Sequence, residues 1–262
     1  MNIYLKELKD HIKPSIGWIL GSVFLVVVSV MKFEALDASA MQMNDFLSVM
    51  PKPILAIMGG ANFNLTTPGG FFGMIFTFIL VLSAIYAVHL GCTCINKEEL
   101  NHTSEFLFTK PAYRYHVLVM KMLSAFTHLM IFNGITFVVA IISLNKHENL
   151  TSPIFQCILF LISLELLFYA IGFLASSISF NYRRSNNYTQ LSVMIFYFIH
   201  TVLDMFENTE MFYILTPFRY QSISALVTGS MINIIPYLLT ILLSIVIITL
   251  GFIKFNKKDL AI

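Results

Sequence analysis

Glu165 is the residue of this chain with the most chemistry available to it. It stands inside CILFLISLELLFYAIG, where a lone carboxylate is costly unless it is paired or protonated. Two roles fit such a residue: a cation or substrate contact in a cavity, or a protonated acid hydrogen-bonded to a neighbouring helix or at a dimer seam. His89, His128 and His200 also fall within apolar runs, and Cys92, Cys94 and Cys157 lie in or at the ends of such runs. His89 and Cys92 are three apart and can share a helical face, but Cys94 points elsewhere. Three or four converging ligands cannot be assembled, so no metal is expected. An odd set of cysteines in apolar segments does not make a disulfide framework either. Lys121, near one end of its run, has a stem long enough to snorkel toward water.

The motifs of catalysis are missing. The sequence contains no G-x-x-x-x-G-K-[ST], no kinase signature, no H-E-x-x-H, no G-x-S-x-G and no C-x-x-C. Its polar loops are too short to hold a nucleotide-binding fold. No catalytic, cofactor or metal residue is therefore expected, and the chain is not expected to hydrolyse ATP.

One polar stretch stands out, 96–116, reading NKEELNHTSEFLFTKPAYRYH. Asn96 and Glu99 have the spacing of a capping box. Leu100, Thr103 and Phe106–Leu107 recur at helical spacing, and Pro111 stops the run. A short amphipathic helix held between two apolar runs suits docking onto something outside the bilayer. There a phenylalanine supplies buried area, while carboxylates set register and partner choice.

The elements that position these residues follow from composition. Of 262 residues, 57% are hydrophobic and 11% charged, with mean hydropathy +0.79. A soluble domain carries about a quarter charged residues, and several runs here reach the roughly 20 apolar residues that cross a bilayer. The expected fold is an all-α membrane protein with spans at about 15–32, 71–95, 117–144, 154–178, 188–205 and 231–255. Residues 1–14 carry Tyr4, Leu5, Leu8 and Ile12 on one face and lysines elsewhere, which predicts an interfacial helix cut off from the first span by Pro14. The first span is expected to stay in the mature protein, with Trp18 near its interface. Met43, Phe46, Leu47 and Met50 predict a short amphipathic helix over 41–50. The run 223–227 is too short to cross and suits the membrane surface or a re-entrant segment.

Six spans put both termini on one side. That side collects Lys6, Lys9, Lys13, Lys97, Lys110, Arg114, Lys121, Arg183, Arg184, Lys254, Lys257 and Lys258, against Lys32, Lys52, Lys146 and Arg219 opposite. The positive-inside rule then makes both termini and the 96–116 loop cytoplasmic. The net charge of +2, spread over several loops, gives no reason to expect nucleic acid.

KEELNHTSEFLFTKPAYRYHVLVMKML resembles the cytoplasmic loop of ABC type-2 permeases. The likeness extends to KELKDHIKPSIGW, MPKPILAIMGG, TTPGGFFG, TPFRY and FNKKDL, in that order along nearly the whole chain. The small bacterial antibiotic- or sodium-efflux-related branch is the most similar. The resemblance implies a type V-like exporter half: two permease chains, identical or homologous, pair with two ABC ATPase subunits that hold the ATP and Mg. It makes about 97–108 the coupling helix. By position it assigns Glu98, Glu99, Thr103, Glu105, Phe106, Lys110 and Pro111 to the ATPase contact. The implied substrate is an amphiphile, such as an antimicrobial peptide, an antibiotic or a lipid-like molecule. Alternatives are a sodium-efflux permease, an ion-coupled secondary transporter and a membrane-embedded enzyme. The first two lack the further carboxylates or broken helices they would show, and the third lacks an acid cluster or nucleophile–base pair.

Overall fold

The computed structural model describes residues 3–37, 51, 63, 67–100, 114–144, 150–179, 181–206, 210–228 and 233–256. All regular structure among them is helical: α1 (Ile3–Asp37), α2 (Pro68–Leu100), α3 (Arg114–Leu144), α4 (Thr151–Ile178), α5 (Tyr182–Asp204), two 3-10 turns (Glu210–Leu215 and Pro217–Arg219), α6 (Ile223–Val227) and α7 (Ile234–Asn256). Five of these, α1, α2, α3, α4 and α7, are long and apolar enough to cross a membrane. The expected fifth span at 188–205 falls on α5, which has 23 residues but is less apolar than the other long helices. The 41–50 helix expected from the methionine stripe lies outside the described residues.

α2 and α4 form the centre. Of their most apolar stretches, 78% and 72% are buried in the protein, against 28%, 39% and 22% for α1, α3 and α7. In the outer helices apolar residues such as Leu20, Phe24, Val138, Ile142, Leu238 and Leu242 stay exposed, as befits surfaces that meet hydrocarbon rather than water.

The central pair crosses backbone to backbone. A Cβ built on Gly91 would stand 2.4 Å from the Tyr169 carbonyl oxygen, and one on Gly172 would stand 2.4 Å from the Val88 carbonyl oxygen. Ala87 and Gly91 on α2, with Gly172 and Ser176 on α4, make two small-xxx-small pairs. This is the pattern that lets membrane helices approach without a hydrophobic driving force. Ser176 Oγ donates to the Gly91 carbonyl at 3.4 Å across the contact.

Two expected boundaries are corrected. Pro14 does not end a separate interfacial helix, because α1 runs through it from Ile3 to Asp37. A proline in mid-helix forfeits one backbone hydrogen bond. The bond forfeited here is the one to the Asp10 carbonyl; beside it, Ser15 Oγ donates to the His11 carbonyl at 2.6 Å, a side-chain tie in the same turn. The start expected for the fifth span, 188, is too late: α5 begins at Tyr182, where Asn181 caps it by accepting from the Arg184 N–H at 3.1 Å. α2 starts in a similar way, with Thr67 Oγ1 accepting from the Gly70 N–H at 3.1 Å and Pro68 in the first turn, where its missing N–H does no harm. The short α6 buries Ile223, Leu226 and Val227 and packs against α2 and α4.

Candidate functional site

The 96–116 loop is approached by two arms, the end of α2 and the start of α3. α2 continues through Asn96 to Leu100, so Asn96 is not a cap for a new helix. It is fully buried and donates to Ser185 Oγ at 3.0 Å. Glu98 and Glu99 accordingly belong to the last turn of α2. Thr103, Glu105, Phe106, Lys110 and Pro111 lie outside the described residues.

Each arm is tied to a different neighbour. Along α2, His89 Nδ1 meets the Tyr182 hydroxyl at 3.3 Å, Cys92 Sγ meets Thr189 Oγ1 at 3.3 Å, and Asn96 reaches Ser185. These residues form one polar stripe on α2 (i, i+3, i+7) matched by a stripe on α5. The histidine and cysteine considered above as metal ligands are thus occupied in helix packing.

Along α3, four residues meet α1, and three of the pairs keep one parallel register. Lys121 Nζ lies 3.5 Å from Glu7 Oε1, the Tyr4 hydroxyl 3.0 Å from Thr127 Oγ1, His128 Nδ1 3.1 Å from Ser15 Oγ, and Thr136 Oγ1 3.0 Å from Ser22 Oγ. His128 Nε2 faces the Leu8 carbonyl at 3.0 Å. A carbonyl only accepts, so that nitrogen carries a proton. Glu7 also meets His11 Nε2 at 3.6 Å. Lys121 does not snorkel: it is 4% exposed and Glu7 3%. Packing against the start of α1 closes its route to water, and the carboxylate there supplies the countercharge. Trp18 is half-buried and stacks on Tyr86 with ring centroids 5.5 Å apart.

Between the two groups of helices runs a seam. Tyr86 on α2 donates to Ser15 Oγ at 2.8 Å, and Tyr86 and Phe132 pack at 5.5 Å between ring centroids. Glu165 on α4 accepts from Asn133 Nδ2 on α3 at 2.5 Å, and the carboxyl is 1% exposed. Beside the seam, an apolar cavity of about 340 Å³ opens between α3, α4 and α7, lined by residues including Phe126, Leu129, Leu166 and Phe252. At the other end of α5, Asp204 gathers His200 Nε2 at 3.6 Å and Arg219 at 3.4 Å.

Sequence reasoning singled out Glu165 but missed Glu7, His11, Asn133 and the glycine crossing. The usable signals were an acid and a histidine four apart in a short basic helix, a lysine two turns inside a span, and paired small residues in two spans.

A bundle of long apolar helices, locked together by buried polar links, defines a multi-pass membrane protein. Residues 1–260 match the ABC-2 family transporter protein family, and the chain belongs to that family. Its members are the membrane components of transporters and work in general with an ABC ATPase. No curated protein matches the chain.

Proposed function

We infer that this chain is the permease subunit of an ATP-binding cassette exporter in the cell membrane. It moves an amphiphilic substrate, such as an antimicrobial peptide, an antibiotic or a lipid-like molecule, with ATP hydrolysed on a separate subunit. The observation that carries the reading is that the two loop arms have different sets of polar partners, α2 on α4 and α5, α3 on α1, with Tyr86–Ser15 and Asn133–Glu165 joining the two sets. A partner that displaces the 96–116 loop therefore acts on two groups of helices at once. Motion at a small docking surface is carried into both groups, because packed helix interfaces move as blocks, and the seam bonds Tyr86–Ser15 and Asn133–Glu165 pass it from one group to the other.

On this reading α5 is the fifth of six spans. From Tyr188 to Asp204 its 17 residues reach about 26 Å at 1.5 Å per residue, the short end of what crosses a hydrocarbon core of roughly 30 Å. Both termini and the loop are then cytoplasmic, as the distribution of lysine and arginine requires. α5 keeps Asn187 exposed at the edge of the span and Gln190 half-buried just inside it, polar groups that hydrocarbon would leave unsatisfied if either entered it. A second permease chain, identical or homologous, facing this helix with the substrate path between the copies would cover them. ATP and Mg stay on the partner.

Simultaneous replacement of Glu105 and Phe106 by alanine tests the docking role. Loss of a hot spot of about 2 kcal/mol weakens an interface roughly 30-fold. In vesicles holding the permease and its ATPase, substrate export should fall by at least that factor while ATP hydrolysis continues. Export at the wild-type rate would remove the loop from the mechanism.

A further inference from the structure

We propose that Glu165 and Asn133 form a resident single-proton site, a neutral acid–amide pair that fastens α3 to α4 inside one protomer. Both groups are buried, at 1% and 2% exposure, and they belong to facing helices. Asn133 Nδ2 spends its two protons on the Leu129 carbonyl at 2.8 Å and on Glu165 Oε2 at 2.5 Å. That leaves two buried oxygens without a hydrogen-bond partner, Glu165 Oε1 and Asn133 Oδ1. Both are acceptors when the carboxyl is ionised, so neither can serve the other. Leaving buried acceptors unmet is costly, and each such group calls for an explanation.

One proton answers both needs. Bound at Oε1, it removes the buried charge and converts that oxygen into a donor, and the group already joined to it through Nδ2 offers Oδ1 as the acceptor. Two antiparallel hydrogen bonds then close a ring between carboxylic acid and amide. The step is a simple association of a proton from water with a carboxylate oxygen, forming one O–H bond and breaking none in the protein. The neighbouring titratable group on α2 is Tyr86, within electrostatic reach of Glu165, but its hydroxyl donates to Ser15. No histidine or lysine is hydrogen-bonded or ion-paired to the carboxyl among the contacts of the described residues. A cation passing through would need more oxygens than this pair supplies, whereas a proton needs only these two.

The proposal makes Glu165→Gln a faithful copy, because glutamine places an N–H where the acid has its O–H. The full-length chain, reconstituted in lipid nanodiscs, should melt at the wild-type temperature with Glu165→Gln and at a clearly lower one with Glu165→Ala. The infrared spectrum at neutral pH should contain a carboxylic-acid C=O band that shifts in heavy water and disappears in Glu165→Gln. Asn133→Leu should keep the band but move it, since the acid loses its partner. Absence of the band, or a Glu165→Gln protein as unstable as Glu165→Ala, would overturn the assignment. So would sodium chloride raising the melting temperature of the wild type, relative to choline chloride, but not that of Glu165→Gln, since that result would make the ligand a metal cation.

Discussion

Gly172→Val is expected to yield no folded protein. A Cβ at position 172 would sit 2.4 Å from the Val88 carbonyl oxygen and 3.2 Å from the Cys92 nitrogen, both backbone atoms of α2. A flexible side chain can swing away from an intruding methyl group; a helix backbone cannot. The two central helices must therefore part, and they are the most deeply buried spans in the protein. Ordinary overpacking costs about 1–3 kcal/mol. Separating the central pair adds the loss of contacts along its length, including the Ser176 bond to Gly91. Gly91→Val should behave the same way, because its Cβ would meet Tyr169 and Phe173 backbone atoms at 2.4 and 2.8 Å. Gly134 supplies the control: nothing lies within 4 Å of the Cβ it would gain. Gly134→Ala should be neutral or stabilise by roughly 0.5–1 kcal/mol, the usual cost of glycine in mid-helix. Size-exclusion profiles and melting curves of detergent-solubilised protein distinguish these cases. A monodisperse Gly172→Val protein with the wild-type melting temperature would mean that the helices do not cross at these glycines.

The contrast shows which features were legible in the sequence. The long apolar runs that became α2, α3, α4 and α7 announce themselves, since each needs to match only the thickness of a bilayer. The ends of the helices are another matter. Pro14 and Asn96 carry strong local signals for a break and a cap, yet both are overruled by partners distant in sequence: α3 holds α1 on both sides of Pro14 through Glu7–Lys121 and Ser15–His128, and Ser185 draws Asn96 into helix packing. The character of Lys121 was hidden for the same reason. Snorkelling is the fate of a lysine at the end of an isolated span, and only the fold of α1 back along α3 covers it. Glu165 was visible as an anomaly, but its partner Asn133 sits 32 positions away on another helix. A single carboxylate in an apolar run says that a partner must exist without saying which.

Removal of either member of the Glu7–Lys121 pair should be the most damaging change outside the glycine crossing. Both side chains are nearly inaccessible, 4% for Glu7 and 3% for Lys121. Truncating one takes a buried countercharge from the other, which typically costs 3–5 kcal/mol; His11 Nε2, 3.6 Å from Glu7, stays in place in Lys121→Met and offsets part of that loss. Glu7→Gln and Lys121→Met should each lower the melting temperature strongly, and raising the salt concentration should not rescue them, because screening scarcely reaches buried charges. The double replacement Glu7→Leu with Lys121→Leu tests the mechanism of the loss. If the penalty arises from an unmatched buried charge, removing both charges recovers most of the stability, because a buried ion pair is itself worth little more than apolar packing of similar volume. If the double variant is instead as unstable as the sum of the singles, the pair is not coupled and the residues act through separate contacts. Stability and transport should then part company in the recovered protein. Leucines hold this end of α1 against α3 by packing and leave register there to the remaining Tyr4–Thr127, Ser15–His128 and Ser22–Thr136 contacts, whereas the ion pair adds a directional tie. An apolar pair that restores the fold but transports poorly would identify Glu7 as the residue that makes α1 move with the loop arm; full transport would reduce the pair to a packing element.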